Sequence, residues 1–253
     1  MHVIYLTSRD GPDRGLDTTL VLENSVKSFQ SWFASKTGMT VRQDTYQGRL
    51  DISYFKSSRS NAEIENSQAF VVNTLYDELQ TAGFDAFNKK YLIYYEGTST
   101  YACGGALLGG KAAAMYLNGL PQTVKCGAET FVNAPADAPR YWEFAALHDF
   151  VHTLGYVDAR APNHNVPNPG HTNDCSCDLM DGGNLGPWIP SVVDFRQDDY
   201  FGDLLAPGLR NLKHDAWLAP ASASVMASVS LQILPGRPLT IPYHIHDLGV
   251  QRP

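Results

Sequence analysis

Apolar and polar positions along the chain switch repeatedly between a period of two and a period near 3.6, which predicts alternating strands and helices. HVIYLT (2–7) alternates weakly and reads as a first strand, followed by the turn-rich loop SRDGPDRGLDTT. Over residues 19–36 the apolar positions Leu20, Leu22, Val26, Phe29 and Phe33, with Trp32 beside them, trace one face of a helix that stops at Gly38. Two short strands are expected around 40–46 and 50–55. A second helix is expected over about 61–82, with Ile64, Phe70, Val71, Leu75 and Leu79 facing inward and Gly83 just past its end. KYLIYYEG (90–97) reads as a strong strand, and the Gly-Gly pairs within 102–118 predict further strands joined by tight turns. A third helix, capped by Asp137 or Ala138 with Pro139 in its first turn, carries RYWEFAALHDFVHTL. It is apolar nearly all round, so it should be buried. After Gly155 little regular structure is expected until about 190, and two β-rich runs within 223–247 suggest a terminal hairpin.

Composition narrows the picture. The 253 residues are 43% hydrophobic and 18% charged, enough for a sizeable core. The formal net charge is -7 and no Lys/Arg run occurs, so a nucleic-acid or anionic-membrane partner is not expected. No apolar stretch is long enough to span a bilayer. The opening MHVIYLTSRDG lacks a basic segment followed by a long apolar run. Two expectations follow: a secreted protein whose leader has been removed, or a cytoplasmic one. Four cysteines (Cys103, Cys126, Cys175, Cys177) allow three disulfide connectivities. A Cys103–Cys126 bridge would contribute roughly 3 kcal/mol by restricting the unfolded chain. Cys175 and Cys177 read as a local disulfide, two thiols, or soft metal ligands.

The candidate chemistry lies in HDFVHTLGYVD (148–158). His148 and His152 are four apart, on one face of the expected helix, and Gly155 follows where that helix ends. Leaving two polar rings unpaired on a buried face costs on the order of 1–3 kcal/mol each. Backbone or carboxylate partners would satisfy them; so would Zn2+. Asp158, His164 and His171 are the candidates for a third ligand.

HTLGYVDARAPNH…PGHTND…CDLM resembles the metzincin clan of zinc proteases, whose signature is HExxHxxG, a third ligand and a later methionine turn. More narrowly, it is similar to a group of bacterial, mostly secreted, metzincin-like proteases with HTLG, AP-H, GH-x-x-D and DLM. The similarity extends to the opening HVIYLTSRDGPDRGLD, to the tryptophan helix, to LDISYF and to DFRQDDYF (194–201). The resemblance implies an α/β zincin fold: a twisted mixed sheet with backing helices, an active-site helix and an irregular C-terminal part. It implies zinc on His148, His152 and His171, with Asp158 and then His164 as the alternative third ligands. Met180 in Asp178-Leu179-Met180 would form the floor of the methionine turn. Asp174 and Asp178 would orient imidazole N–H groups from a second layer. It also supports the Cys103–Cys126 pairing.

The chain departs from that pattern at Asp149, where the family carries the glutamate that acts as base. Its carboxylate sits one methylene farther back, and roughly 1 Å of misplacement can cost about 100-fold in rate. Asp181 stands where the family's tyrosine would follow the methionine. Tyr156 and Tyr200 are candidate phenols for an oxyanion, with packing as the plainer reading. The leading expectation is zinc-dependent hydrolysis of a peptide or small amide by metal-activated water, with Asp149 as catalytic base. The alternatives are a zinc enzyme of another reaction type on a small substrate, or a non-catalytic binding cleft. The chain is expected to act as a monomer, with an N-terminal α/β subdomain over 1–157 and a C-terminal subdomain over 158–253.

Overall fold

The structure is a computed structural model, and it describes residues 1–120, 139–182 and 188–221. The core is a five-stranded sheet built from β1 (His2–Thr7), β5 (Ile52–Lys56), β6 (Tyr91–Glu96), β7 (Gly104–Ala106) and β8 (Ala112–Tyr116). Its order is β5-β1-β6-β8-β7. The first four strands run parallel, and β7 closes one edge antiparallel to β8. Every residue of β1, β6 and β8 is buried, as expected for parallel strands covered on both faces. This explains why HVIYLT alternates so weakly: neither face meets water.

The period of two survives as a choice between two apolar layers. Val3, Tyr5, Leu92, Tyr94, Ala113 and Met115 face one cluster, and Ile4, Leu6, Ile93, Tyr95, Ala114 and Tyr116 face the other. Helix α1 (Val21–Thr37) supplies Leu22, Val26, Phe29 and Phe33 to the first cluster, and Gly38 ends it in the left-handed region at φ 70°. Helix α4 (Tyr141–Thr153) packs in the same layer and supplies Trp142, Ala146, Leu147 and Phe150.

On the opposite face the expected single helix is two. A five-residue α2 (Asn61–Glu65) ends, a 3-10 turn follows at Gln68–Phe70, and α3 (Val71–Thr81) begins. Gln68 takes φ 52°, which interrupts the helix and turns Phe70 out, leaving it 66% exposed where the spacing predicts an inward position. Ile64, Val71, Leu75 and Leu79 are buried as predicted. Helices thus cover both faces of the sheet.

The expected strand pair at 40–46 and 50–55 resolves into β2 (Met39–Val41), a tight hairpin of β3 (Thr45–Tyr46) and β4 (Arg49–Leu50), and β5. The hairpin turns at Gln47-Gly48, both with positive φ. Helix α4 starts at Tyr141, and the expected caps Asp137 and Ala138 lie outside the described residues. The Glu143 carboxylate reaches back to accept the Arg140 N–H at 2.9 Å and the Ser25 hydroxyl at 3.1 Å, fixing the helix start against α1. Residues 155–211 have no helix or strand among those described, so the irregular stretch expected to end near 190 runs about twenty residues farther. A short β9 (Leu218–Pro220) then pairs antiparallel with β2. The expected hairpin within 223–247 lies outside the described residues, as does Cys126 of the expected Cys103–Cys126 bridge. Cys175 and Cys177 form a disulfide. No helix among the described residues is long and apolar enough to cross a membrane.

Phe29 joins α1 to the sheet from a fully buried position. Phe29→Ala is expected to cost about 3–5 kcal/mol, read as a lowered denaturant midpoint. A loss below about 1 kcal/mol would show that this layer does not carry the fold.

Candidate metal centre

Helix α4 places His148 and His152 one turn apart on the side facing the irregular C-terminal segment, with ring centroids 4.5 Å apart. The helix ends at Leu154, and Gly155 takes φ 83°, a conformation that favours glycine, so the chain can turn back. His171 comes from the loop that follows. Three Nε2 atoms then converge: His148 to His152 at 2.9 Å, His148 to His171 at 3.1 Å, and His152 to His171 at 3.2 Å.

The other ring nitrogens decide what these contacts are. His148 Nδ1 lies 2.7 Å from the Leu179 carbonyl, His152 Nδ1 3.1 Å from the Tyr156 carbonyl, and His171 Nδ1 3.1 Å from the Asn168 carbonyl. A carbonyl only accepts, so each Nδ1 carries the proton and each Nε2 presents a bare lone pair. Three lone pairs at about 3 Å cannot hydrogen-bond one another; they need a cation between them. Protons are poor candidates. Burial holds the His148 imidazole well below its ordinary pKa, helped by the two neighbouring rings. Burial, with His171 second, lowers His152 to about 3. Burial lowers His171 as well. A tetrahedral ion with Zn–N bonds of about 2.0–2.1 Å sets its ligand nitrogens roughly 3.3–3.4 Å apart, close to this spacing. Neutral imidazoles aimed at one point fit zinc.

The turn at 178–180 holds the triad in place. Leu179 offers its carbonyl to His148, and Met180 accepts the Thr172 N–H at 2.9 Å, one residue after His171. Met180 itself is fully buried. Asp178, expected to orient an imidazole, instead fastens this turn. Its carboxylate accepts the Met180 N–H at 2.6 Å, the Phe195 N–H at 2.7 Å and the Tyr200 hydroxyl at 2.9 Å. Burial outweighs those donors and pushes Asp178 up to about 7. Asp174 also touches no imidazole and lies with Asp198 and Asp199. Carbonyls of the backbone do the orienting expected of these carboxylates.

The alternative third ligands are engaged elsewhere. Asp158 is bound by Arg160, with Nη2 to Oδ2 at 2.6 Å, and that partner holds its pKa down to about 2. His164 Nε2 accepts the Gly170 N–H at 3.4 Å, helping to shape the loop before His171. Cys175 and Cys177 are bonded to each other and are not ligands. The two candidate phenols are engaged within the fold: the Tyr200 hydroxyl donates to Asp178 at 2.9 Å, and the Tyr156 hydroxyl to Asp215 at 3.3 Å.

Asp149 lines a cavity of about 260 Å³ together with His148, His171, Asp181, Tyr141 and Trp188. It is buried, and burial alone raises its pKa to about 8. Its Oδ2 occupies space that only glycine leaves open: a Cβ on Gly104 of β7 would lie 2.5 Å from it. Gly104 and Trp188 escape a reading of the sequence. Trp188 sits in an aperiodic segment, its indole donating to the Asp178 carbonyl at 3.1 Å and its ring meeting His148 edge-on at 5.4 Å.

A scan of protein-family models and a search of curated proteins give no match. Among solved structures the chain is similar to archaemetzincin from Methanopyrus kandleri, at 14% identity over 72% of this chain and 81% of that one. The TM-score is 0.39.

His171→Ala is expected to abolish zinc binding, and Asp158→Ala to leave it unchanged, by elemental analysis of protein reloaded with zinc. The reverse result would mean that the loop bearing His171 is misplaced. Gly104→Ala is expected to keep zinc while moving the Asp149 carboxylate, lowering any hydrolysis at least about 10-fold.

Proposed function

We propose that this chain is a metzincin-like zinc-dependent hydrolase of peptide or small amide bonds. One observation carries the reading: three neutral imidazoles, His152 buried and His148 and His171 half-buried, aim their Nε2 lone pairs at one point beside a buried carboxylate. A closed structural site would fill its fourth position with a protein ligand. Here the described residues supply three, and the cavity at His148 and His171 leaves room for water and substrate. Zinc bound there would acidify a water and polarise the scissile carbonyl. Asp149 accepts the proton lost by that water and passes it to the leaving nitrogen. Burial raises its pKa to about 8, the direction that suits a proton carrier. A dication on the triad favours its charged form and offsets part of that rise. The short side chain is accommodated by Gly104, which lets the edge strand approach the helix at this carboxylate.

The similarity to bacterial secreted proteases favours an extracellular protein acting as a monomer. The Cys175–Cys177 disulfide suits an oxidising compartment.

The test is metal content together with turnover. The purified chain is expected to hold about one zinc and to cleave members of a broad peptide pool, read by mass spectrometry. Asp149→Asn is expected to keep the zinc and lose cleavage by at least about 100-fold. Failure to take up zinc would refute the centre itself. Zinc uptake without cleavage by the wild-type chain would refute hydrolysis and leave a binding cleft.

A further inference from the structure

We infer that a second cavity, walled by Lys90, Tyr156, Arg210, His214, Asp215 and Trp217, binds a small organic carboxylate. Its volume is about 570 Å³, and it shares no lining residue with the cavity at Asp149. Four segments meet there: the residue before β6, the turn between β7 and β8, the end of α4, and the stretch leading into β9. Its size falls in the usual range for small-molecule sites, roughly 300–1,000 Å³.

Lys90 is the decisive residue. It is 8% exposed, and its Nζ donates to the Gly110 and Thr153 carbonyls, each at 2.6 Å. An ammonium has three donors, so one N–H remains. No carboxylate among the described residues forms an ion pair with it; Asp215 acts on it only from a distance, and burial lowers its pKa. Its Nζ lies 5.5 Å from the centre of the Trp217 ring, so the cation meets an aromatic wall where an acid would be expected. Capping the last carbonyls of α4 is the plain role of this lysine. That role uses two donors and supplies no full negative charge.

Asp215 is the one acid among the described lining residues, and it is occupied. Its carboxylate accepts Arg210 Nη2 at 3.2 Å, the Tyr156 hydroxyl at 3.3 Å and the Trp217 backbone N–H at 3.0 Å. Arg210 is thereby matched, and Lys90 is the unmatched cation. One unmatched positive charge calls for one negative charge, which a carboxylate supplies. A phosphate dianion fits worse. The end of α4 that faces this cavity is its C-terminus, the negative end of the helix dipole, and Asp215 would repel the second charge. Arg210, exposed and 4.8 Å from the centre of the Tyr156 ring, and the exposed His214 offer further donors. Trp217 and Leu154 give an apolar surface for the body of the ligand.

The probe is benzoate, titrated by calorimetry into the full chain with and without added zinc. About one equivalent should bind in both preparations, which separates this cavity from a carboxylate held by the metal. Benzamide, the uncharged analogue, should bind at least about 10-fold more weakly, and equimolar inorganic phosphate should not displace benzoate. Arg210→Gln, at an exposed position, should weaken benzoate about 3-fold. Asp215→Asn should tighten it about 3-fold, because a like charge goes while the amide oxygen still accepts; misfolding cannot produce a gain. Lys90→Met should lose benzoate; if that variant does not melt cooperatively, the other two decide. No benzoate binding in either preparation would overturn the site. So would binding only with zinc, equal binding of benzamide, displacement by phosphate, retention in a folded Lys90→Met, or an affinity unchanged in both Arg210→Gln and Asp215→Asn.

Discussion

Three imidazole lone pairs pointing at one volume repel one another, and the surrounding structure is arranged to hold them there. Two come from α4 by the geometry of one helical turn. The third comes from a loop with no regular structure, so its position rests on specific hydrogen bonds. The turn at 178–180 makes that connection, bonding to His148 through Leu179 and to the residue after His171 through Met180. A cation bound at the centre would relieve that repulsion and would then support the fold as well as the proposed chemistry.

Beyond Gly155 buried carboxylates take over the role that helices and sheets play in the first half. Asp178 gathers Met180, Phe195 and Tyr200; Asp194 Oδ2 gathers the N–H groups of Asp199, Tyr200 and Phe201. Burial, opposed by those donors, raises both acids to about 7. Each anchors several backbone groups that have no ladder to join. The pairing of β2 with β9 brings the described chain back to the first half at Met39–Val41.

Most of the sheet is legible in the sequence, because β1 and β6 are unbroken apolar runs and fully buried strands have that signature. Helix α1 is legible from its spacing and from Gly38. The break between α2 and α3 is not: the apolar spacing through Phe70 continues as though the helix did, and only the positive φ of Gln68 interrupts it. His148, His152 and Gly155 are legible because they sit at fixed offsets on one helix. His171 can be named only by resemblance, since three candidates follow the glycine and no periodicity ranks positions in an irregular loop. Asp174 and Asp178 are misread for a related reason. A carboxylate near a histidine in sequence says nothing about which donors the folded loop brings to it. Trp188 and Gly104 carry no local signal; they matter through contacts made across the chain.

Because backbone carbonyls hold the three Nδ1 protons, the supports of the imidazoles have no side chain to delete. Point substitution at Leu179, Tyr156 or Asn168 leaves the carbonyl in place, so a scan of side chains would miss this layer altogether. Peptide carbonyls also have no pKa in the working range, so acid cannot strip the orienting bonds before it reaches the imidazoles themselves. Adjustment during evolution would have to pass through loop length and path, with the tautomers of the three imidazoles kept constant throughout.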